Sequence, residues 1–125
     1  MSTVFTGEVL IVEDNIIIAM DAELLVTDLG AAETHIANDC ETALKQLESG
    51  TISAAILDFN LDEETSVLIA DALVIAGIPF VFATGYSDKS VLPERYQSHV
   101  MLSKPYTADD IRDAFLSLKD SAADG

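Results

Sequence analysis

Cysteine occurs once, at Cys40, so no disulfide can close within the chain, which fits a reducing compartment. Basic residues are also scarce: six Lys and Arg against 22 Asp and Glu leave a formal net charge of −16. A surface of that sign repels phosphate backbones and anionic lipid, which argues against nucleic acid or membrane as a partner. No apolar run approaches the roughly 18 residues that span a bilayer. The stretch Met1–Gly7 has neither the basic region nor the cleavage pattern of a secretory leader. The expected location is therefore cytoplasmic. Histidine occurs twice, and His35 and His99 have no ligand-like spacing. Both read as structural, and Cys40 as a small core residue.

Half of the 125 residues are apolar, enough for one packed domain spanning 1–125 with its core over about 8–118. There is no repeat, low-complexity tract or linker. Short apolar runs alternate with helical patterns instead. Glu8–Val12, Thr34–Ala37, Ser53–Leu57, Pro79–Ala83 and, more weakly, Ser98–Leu102 read as strands. Asn15–Leu29 reads as a helix with Ile18, Ala22, Leu25 and Leu29 on one face, stopped by Gly30. Asp39–Leu47 and Thr65–Ala76 follow, the latter closed by Gly77. Thr107–Leu118 opens on an acidic capping box, Thr107 with Asp110, and buries Ile111, Ala114, Phe115 and Leu118. A short fourth helix is expected within Ser90–Ser98, where Pro93 either opens or breaks it. Strand–helix repeated five times predicts an α/β fold: a doubly wound five-stranded parallel sheet flanked by five helices. In such sheets functional groups collect at the carboxyl ends of the strands.

Four strands end in polar residues on that rim: Glu13 and Asp14, then Asp58, then Thr84, then Lys104. Singly, most have plain explanations. Asp14 would serve as a helix cap, Glu13 as a solvated loop residue, Thr84 as a strand end and Lys104 as a surface lysine. Asp58 is harder to dismiss, because a carboxylate after a buried run costs several kcal/mol unless paired. Five such placements on one rim point to one site. Three carboxylates without His or Cys form a hard oxygen site suited to Mg²⁺. A lysine and a threonine beside it can neutralise and hydrogen-bond phosphoryl oxygens, and a carboxylate can act as the nucleophile.

The segments Val12-Glu13-Asp14-Asn15, Leu57-Asp58-Phe59-Asn60-Leu61, Thr84 and Ser103-Lys104-Pro105 together resemble the receiver domain of response regulators, over about Glu8 to Leu118. The resemblance implies a CheY-like, flavodoxin-like fold, with phosphorylation of Asp58 by a histidine kinase or phosphotransfer protein. It implies Mg²⁺ held by Asp14, Asp58 and the Asn60 backbone carbonyl, with Glu13 acting through water. Thr84 would swing toward the phosphoryl group and Lys104 would pair with it, aimed by a cis Lys104–Pro105 peptide. The domain would be a phosphoacceptor that assists its own phosphorylation and dephosphorylation, not an enzyme in its own right.

Pro79-Phe80-Val81-Phe82-Ala83-Thr84-Gly85-Tyr86 is similar to the signature of the FAT GUY receivers. These are tied to HWE-type kinases and to general stress signalling; some stand alone and some end hybrid kinases. Two departures stand out. The switch position three residues before the lysine is Met101 rather than an aromatic, so Tyr86 is expected to supply the mobile ring. The loop after Asp58 lacks Pro and Gly and reads Asp62-Glu63-Glu64-Thr65, a solvated acidic helix start.

The expected function is a stand-alone receiver signalling to an unknown output protein by contact. The alternatives are a terminal receiver of a hybrid kinase, a phosphate sink, a phosphorylation-independent pseudo-receiver, or an aspartyl-phosphate phosphatase. Asn60 stands where the last would carry a second Asp.

Overall fold

The computed structural model describes residues 4–61, 64–85 and 92–124. In chain order its strands are β1 (Glu8–Val12), β2 (Glu33–Ala37), β3 (Ile52–Asp58), β4 (Asn60–Leu61), β5 (Glu64–Thr65), β6 (Phe80–Thr84) and β7 (Met101–Ser103). The helices are α1 (Ile16–Asp28), α2 (Cys40–Leu47), α3 (Val67–Ala76) and α4 (Ala108–Asp124). Five strands form one parallel sheet in the order β2-β1-β3-β6-β7, the doubly wound arrangement expected.

Alternation along the strands feeds two cores. Leu10, Val12, Leu57, Phe80 and Phe82 face α2 and α3. Val9, Ile11, Ile56, Val81 and Ala83 face α1 and α4. The capping box of α4 forms as expected: Asp110 N–H donates to Thr107 Oγ1 (3.1 Å), and Thr107 N–H donates to the Asp110 carboxylate (2.9 Å). Gly77 closes α3 at φ 73°, a left-handed position natural to glycine.

Three expectations need correction. The buried stripe of α1 is Ala19, Ala22, Val26 and Leu29, with Ile18 and Leu25 only half-buried. Alanine lets the helix approach the sheet closely, and this rotation leaves Ile16, Ile17, Met20 and Leu24 exposed. Second, Thr65 is not helical. It pairs with Asn60 in a small antiparallel hairpin, β4 with β5, and α3 begins at Val67. Glu64 is not a solvated helix start either, since its carboxylate accepts from Cys40 N–H at the start of α2 (3.1 Å). The Cys40 thiol donates to the Thr65 carbonyl. Asp62 and Glu63 lie outside the described residues.

Third, four α-helices are present among the described residues, not five. Within 92–98, the described part of the segment expected to hold the fourth helix, the chain forms one 3₁₀ turn, Glu94–Tyr96, after an extended Pro93. Tyr96 is pinned to the sheet and to α3. Its ring is buried against Phe80 and Phe82, and its hydroxyl donates to Asp71 of α3 at 2.6 Å. Arg95 grips the same carboxylate with two nitrogens, at 2.9 to 3.2 Å. His35 and His99 are both engaged as structural residues: His35 meets Glu8 at 2.7 Å, and His99 stacks on Phe80 and bonds its carbonyl.

Asp71→Ala leaves the buried Tyr96 hydroxyl without its acceptor and should lower unfolding free energy by about 1 kcal/mol. Loss of the exposed Lys45–Glu41 pair by Glu41→Ala should change it by at most ~0.5 kcal/mol. Denaturant titration of both variants checks the contrast.

Candidate phosphoryl and cation site

The backbone carries the five rim residues together without special loops. Glu13 follows β1, and its N–H continues the ladder to Ala37 (2.9 Å). Asp58 ends β3, and Thr84 ends the neighbouring β6. Lys104 follows β7, its N–H donating to the Thr84 carbonyl at 2.9 Å, and its peptide to Pro105 is cis. Asn15, not Asp14, caps α1: its side chain accepts from Ile17 and Ile18 N–H. The capping explanation of Asp14 therefore fails, and its exposed carboxylate joins the rim.

Carboxylate oxygens of Glu13, Asp14 and Asp58 lie within 4.8 Å of one another. Lys104 Nζ sits 2.7 Å from Glu13 and 3.1 Å from Asp58, and both of those acids are buried. Burial pushes the Asp58 carboxyl up, Glu13 adds to this by hydrogen bonding and repulsion, and Lys104 only partly offsets them, leaving it at about 7. Burial alone would pull the Lys104 ammonium down, yet its bonds to Glu13 and Asp58 hold it above its ordinary value. The buried Tyr106 hydroxyl is also pushed up, by burial first and then by Glu13 and Asp58. It lines a groove of about 450 Å³ with Ile17, Asp21 and Lys104.

Thr84 is fully buried beside Asp58's strand, in register with Ser103. Asn60 is exposed on β4, two residues past Asp58. Met101 is half-buried on β7, opposite Phe82 and packed on the aromatic core. Tyr86 lies outside the described residues. The structure also brings in an aromatic that sequence reading passed over: Tyr96, buried behind β6. Its signal was weak, a lone aromatic after Pro93-Glu94-Arg95 with no periodic pattern around it.

No family model matches the chain. SdrG from Sphingomonas melonis Fr1 is 36% identical, and the match covers 94% of this chain and 98% of that one with a TM-score of 0.74. A BeF3-activated SdrG from Pseudomonas melonis Fr1 is 42% identical with a TM-score of 0.70, over the same shares of both chains. The phyllosphere-induced regulator PhyR of Methylorubrum extorquens is 33% identical over 102 residues, which is 79% of this chain but 38% of that protein. The response regulator TrrA of Thermotoga maritima, solved with Mg(2+)-BeF, shares the fold at 20% identity, with coverage of 90% and 99% and a TM-score of 0.76.

The fold and the acidic rim define a doubly wound α/β domain with three carboxylates gathered at the carboxyl ends of its strands. The chain belongs to the CheY-like receiver domains of response regulators.

Because its folded-state pKa is raised, Asp58 contributes stability that is present below about 3.8 and lost as pH rises through about 7. In metal-free protein, Asp58→Asn should therefore be more stable relative to wild type at pH 8 than at pH 5. Chemical denaturation at the two pH values measures this. A divalent cation must displace the same proton, so wild-type affinity for Mg²⁺ should climb between pH 6 and pH 8 with net proton release, read by calorimetry in two buffers.

Proposed function

We propose that the chain accepts a phosphoryl group on Asp58 and passes the signal on by protein contact. The observation that carries this reading is a buried strand-end carboxylate held 3.1 Å from Lys104 Nζ, with Glu13 and Asp14 beside it. No soft or imidazole donor belongs to that cluster, and crowded carboxylates favour a hard divalent cation. Asp14, Asp58 and the Asn60 carbonyl would hold Mg²⁺ directly, with Glu13 through water. Bound there, Mg²⁺ would offset negative charge on the oxygens of the incoming phosphoryl group.

The chain's own residues do the rest. A carboxylate oxygen of Asp58 forms the new bond to phosphorus, while the bond from phosphorus to the donor breaks and its electron pair leaves with the donor. Lys104 already points at Asp58 and exchanges a carboxylate contact for a phosphoryl oxygen. Thr84, at the end of the adjacent strand, supplies a hydroxyl to another. The change then spreads through Gly85 and the segment beyond, with Tyr86 and Met101 as the repacking side chains. The protein is thus a phosphoacceptor that assists its own phosphorylation and dephosphorylation, and turns over no separate substrate.

The donor is a histidine kinase, of HWE type by the Pro79–Tyr86 signature, or a phosphotransfer protein. Exposed Ile16, Ile17 and Met20 lie directly after Asp14 and offer the donor an apolar footing. A general stress pathway is supported by the match to a PhyR described as a stress response regulator, at 26% identity over 88% of this chain. No described helix is long and apolar enough to cross a membrane. A kinase-fed receiver works in the cytoplasm.

Incubation with acetyl phosphate and Mg²⁺ should add one phosphoryl group by intact mass, and none to Asp58→Asn. Asp14→Ala should slow the labelling by at least about tenfold. Labelling of Asp58→Asn at the wild-type level would refute the assignment.

A further inference from the structure

Helix α3, Val-Leu-Ile-Ala-Asp-Ala-Leu-Val-Ile-Ala, is apolar except at Asp71, close to the pattern of a helix buried all round. The fold buries its Ile69, Ala70 and Leu73 face, with Val67 packed beside it. Leu68 and Ile75, seven residues apart on the opposite face, are 65% and 88% exposed, and Val74 beside them is 58% exposed. Val74 is also the rim of a groove of about 460 Å³ that runs under Gly77–Pro79 to Phe115 and the half-exposed Leu116 of α4. On its other side, Val74 and Ile75 border a depression floored by Asp71, Arg95 and Tyr96. The apolar surface therefore runs from α4 to the outer face of α3 and ends at the Asp71–Arg95 ion pair. It lies toward the amino-terminal end of β6, away from Asp58, and belongs to neither the donor footing nor the cation site.

Charge and the exposed apolar residues select what covers it. Lys45 is paired with Glu41, Arg95 with Asp71, Lys104 with Glu13 and Asp58, and Arg112 with Asp109 and Asp113. An acidic partner would be repelled by the chain's net charge of −16. A second copy brings another −16 against the first. A single helix fits the charge and the few exposed apolar residues of that face, Leu68, Val74, Ile75 and Leu116, with apolar anchors three, four and seven residues apart and Lys or Arg along its flanks. We propose that the outer face of α3, with the groove beside α4, docks a basic amphipathic helix of a partner protein.

The test uses the unphosphorylated full chain without Mg²⁺, so its outcome is independent of whether Asp58 accepts phosphate. The probe is a synthetic Leu/Lys peptide of about 18 residues, long enough to hold a helix on contact. Matched Leu/Glu and order-scrambled Leu/Lys peptides serve as controls. The helical Leu/Lys peptide should shift amide signals centred on 68–75 and 114–118. By calorimetry it should bind at least about tenfold more weakly to Leu68→Ser/Ile75→Ser, and to Val74→Ser/Leu116→Ser, than to wild type. Ile17→Ser/Met20→Ser should stay within roughly twofold of wild type. The proposal is overturned by absence of binding, by shifts centred on α1, by equal binding of either control peptide, or by affinity unchanged in both α3-face variants. A dimer in sedimentation equilibrium that Leu68→Ser/Ile75→Ser dissolves would overturn the choice of occupant.

Discussion

Lys104 holds two buried carboxylates at once, 2.7 Å from Glu13 and 3.1 Å from Asp58, and the rim of the sheet is organised around that contact. Two buried acids side by side repel each other and lose hydration. One ammonium cannot fully offset both, which is why the Asp58 carboxyl is still pushed up to about 7. The strain is specific to the native fold. The sheet order sets β1 next to β3 and β3 next to β6, and the hydrophobic drive that packs these strands forces their polar ends together. A site that the fold makes uncomfortable in this way is ready for a divalent cation or a rearranged charge.

That arrangement was legible because the signal is local and repeated. Each central strand is a continuous apolar run, so the polar residue that ends it stands out, as Asp58 does after Ala54-Ala55-Ile56-Leu57. The Thr107–Asp110 box was legible for the same reason, since both partners lie within one helical turn. The rotation of α1 was not. Ile16-Ile17-Ile18 offers no polar residue to set the phase, and only contact with the sheet shows that small alanines go inward. The hairpin after Asp58 was hidden too. Glu64 looks like the acidic first turn of its own helix, but its carboxylate serves α2, 24 residues earlier in sequence. Tyr96 was missed because its partners Asp71, Phe80 and Phe82 become neighbours only when the chain folds.

The two cores have different characters. The one under α1 and α4 is built from aliphatic and small residues, with Phe5 edge-on to Phe115. The one under α3 centres on a cluster of Phe59, Phe80, Phe82, Tyr96 and His99 in edge-on and stacked contacts. Phe80 and Phe82 each meet several of these rings, so one face of β6 is held by few, large contacts. The Asp71 grip on Arg95 and Tyr96 ties the outer edge of the cluster to α3, and Ser66 N–H bonded to the Phe59 carbonyl ties α3 to the residue after Asp58. The aromatic core and the carboxylate rim are thus joined through short covalent and hydrogen-bonded links.

The cap of α1 has a mechanical consequence. Asn15 fixes the first turn of the helix, and its own N–H donates to Glu13, so Asp14 is clamped between the end of a strand and the start of a helix. The backbone of Asp14 is therefore fixed at both ends, and a tilt of α1 would carry it along with the helix, as on a short lever.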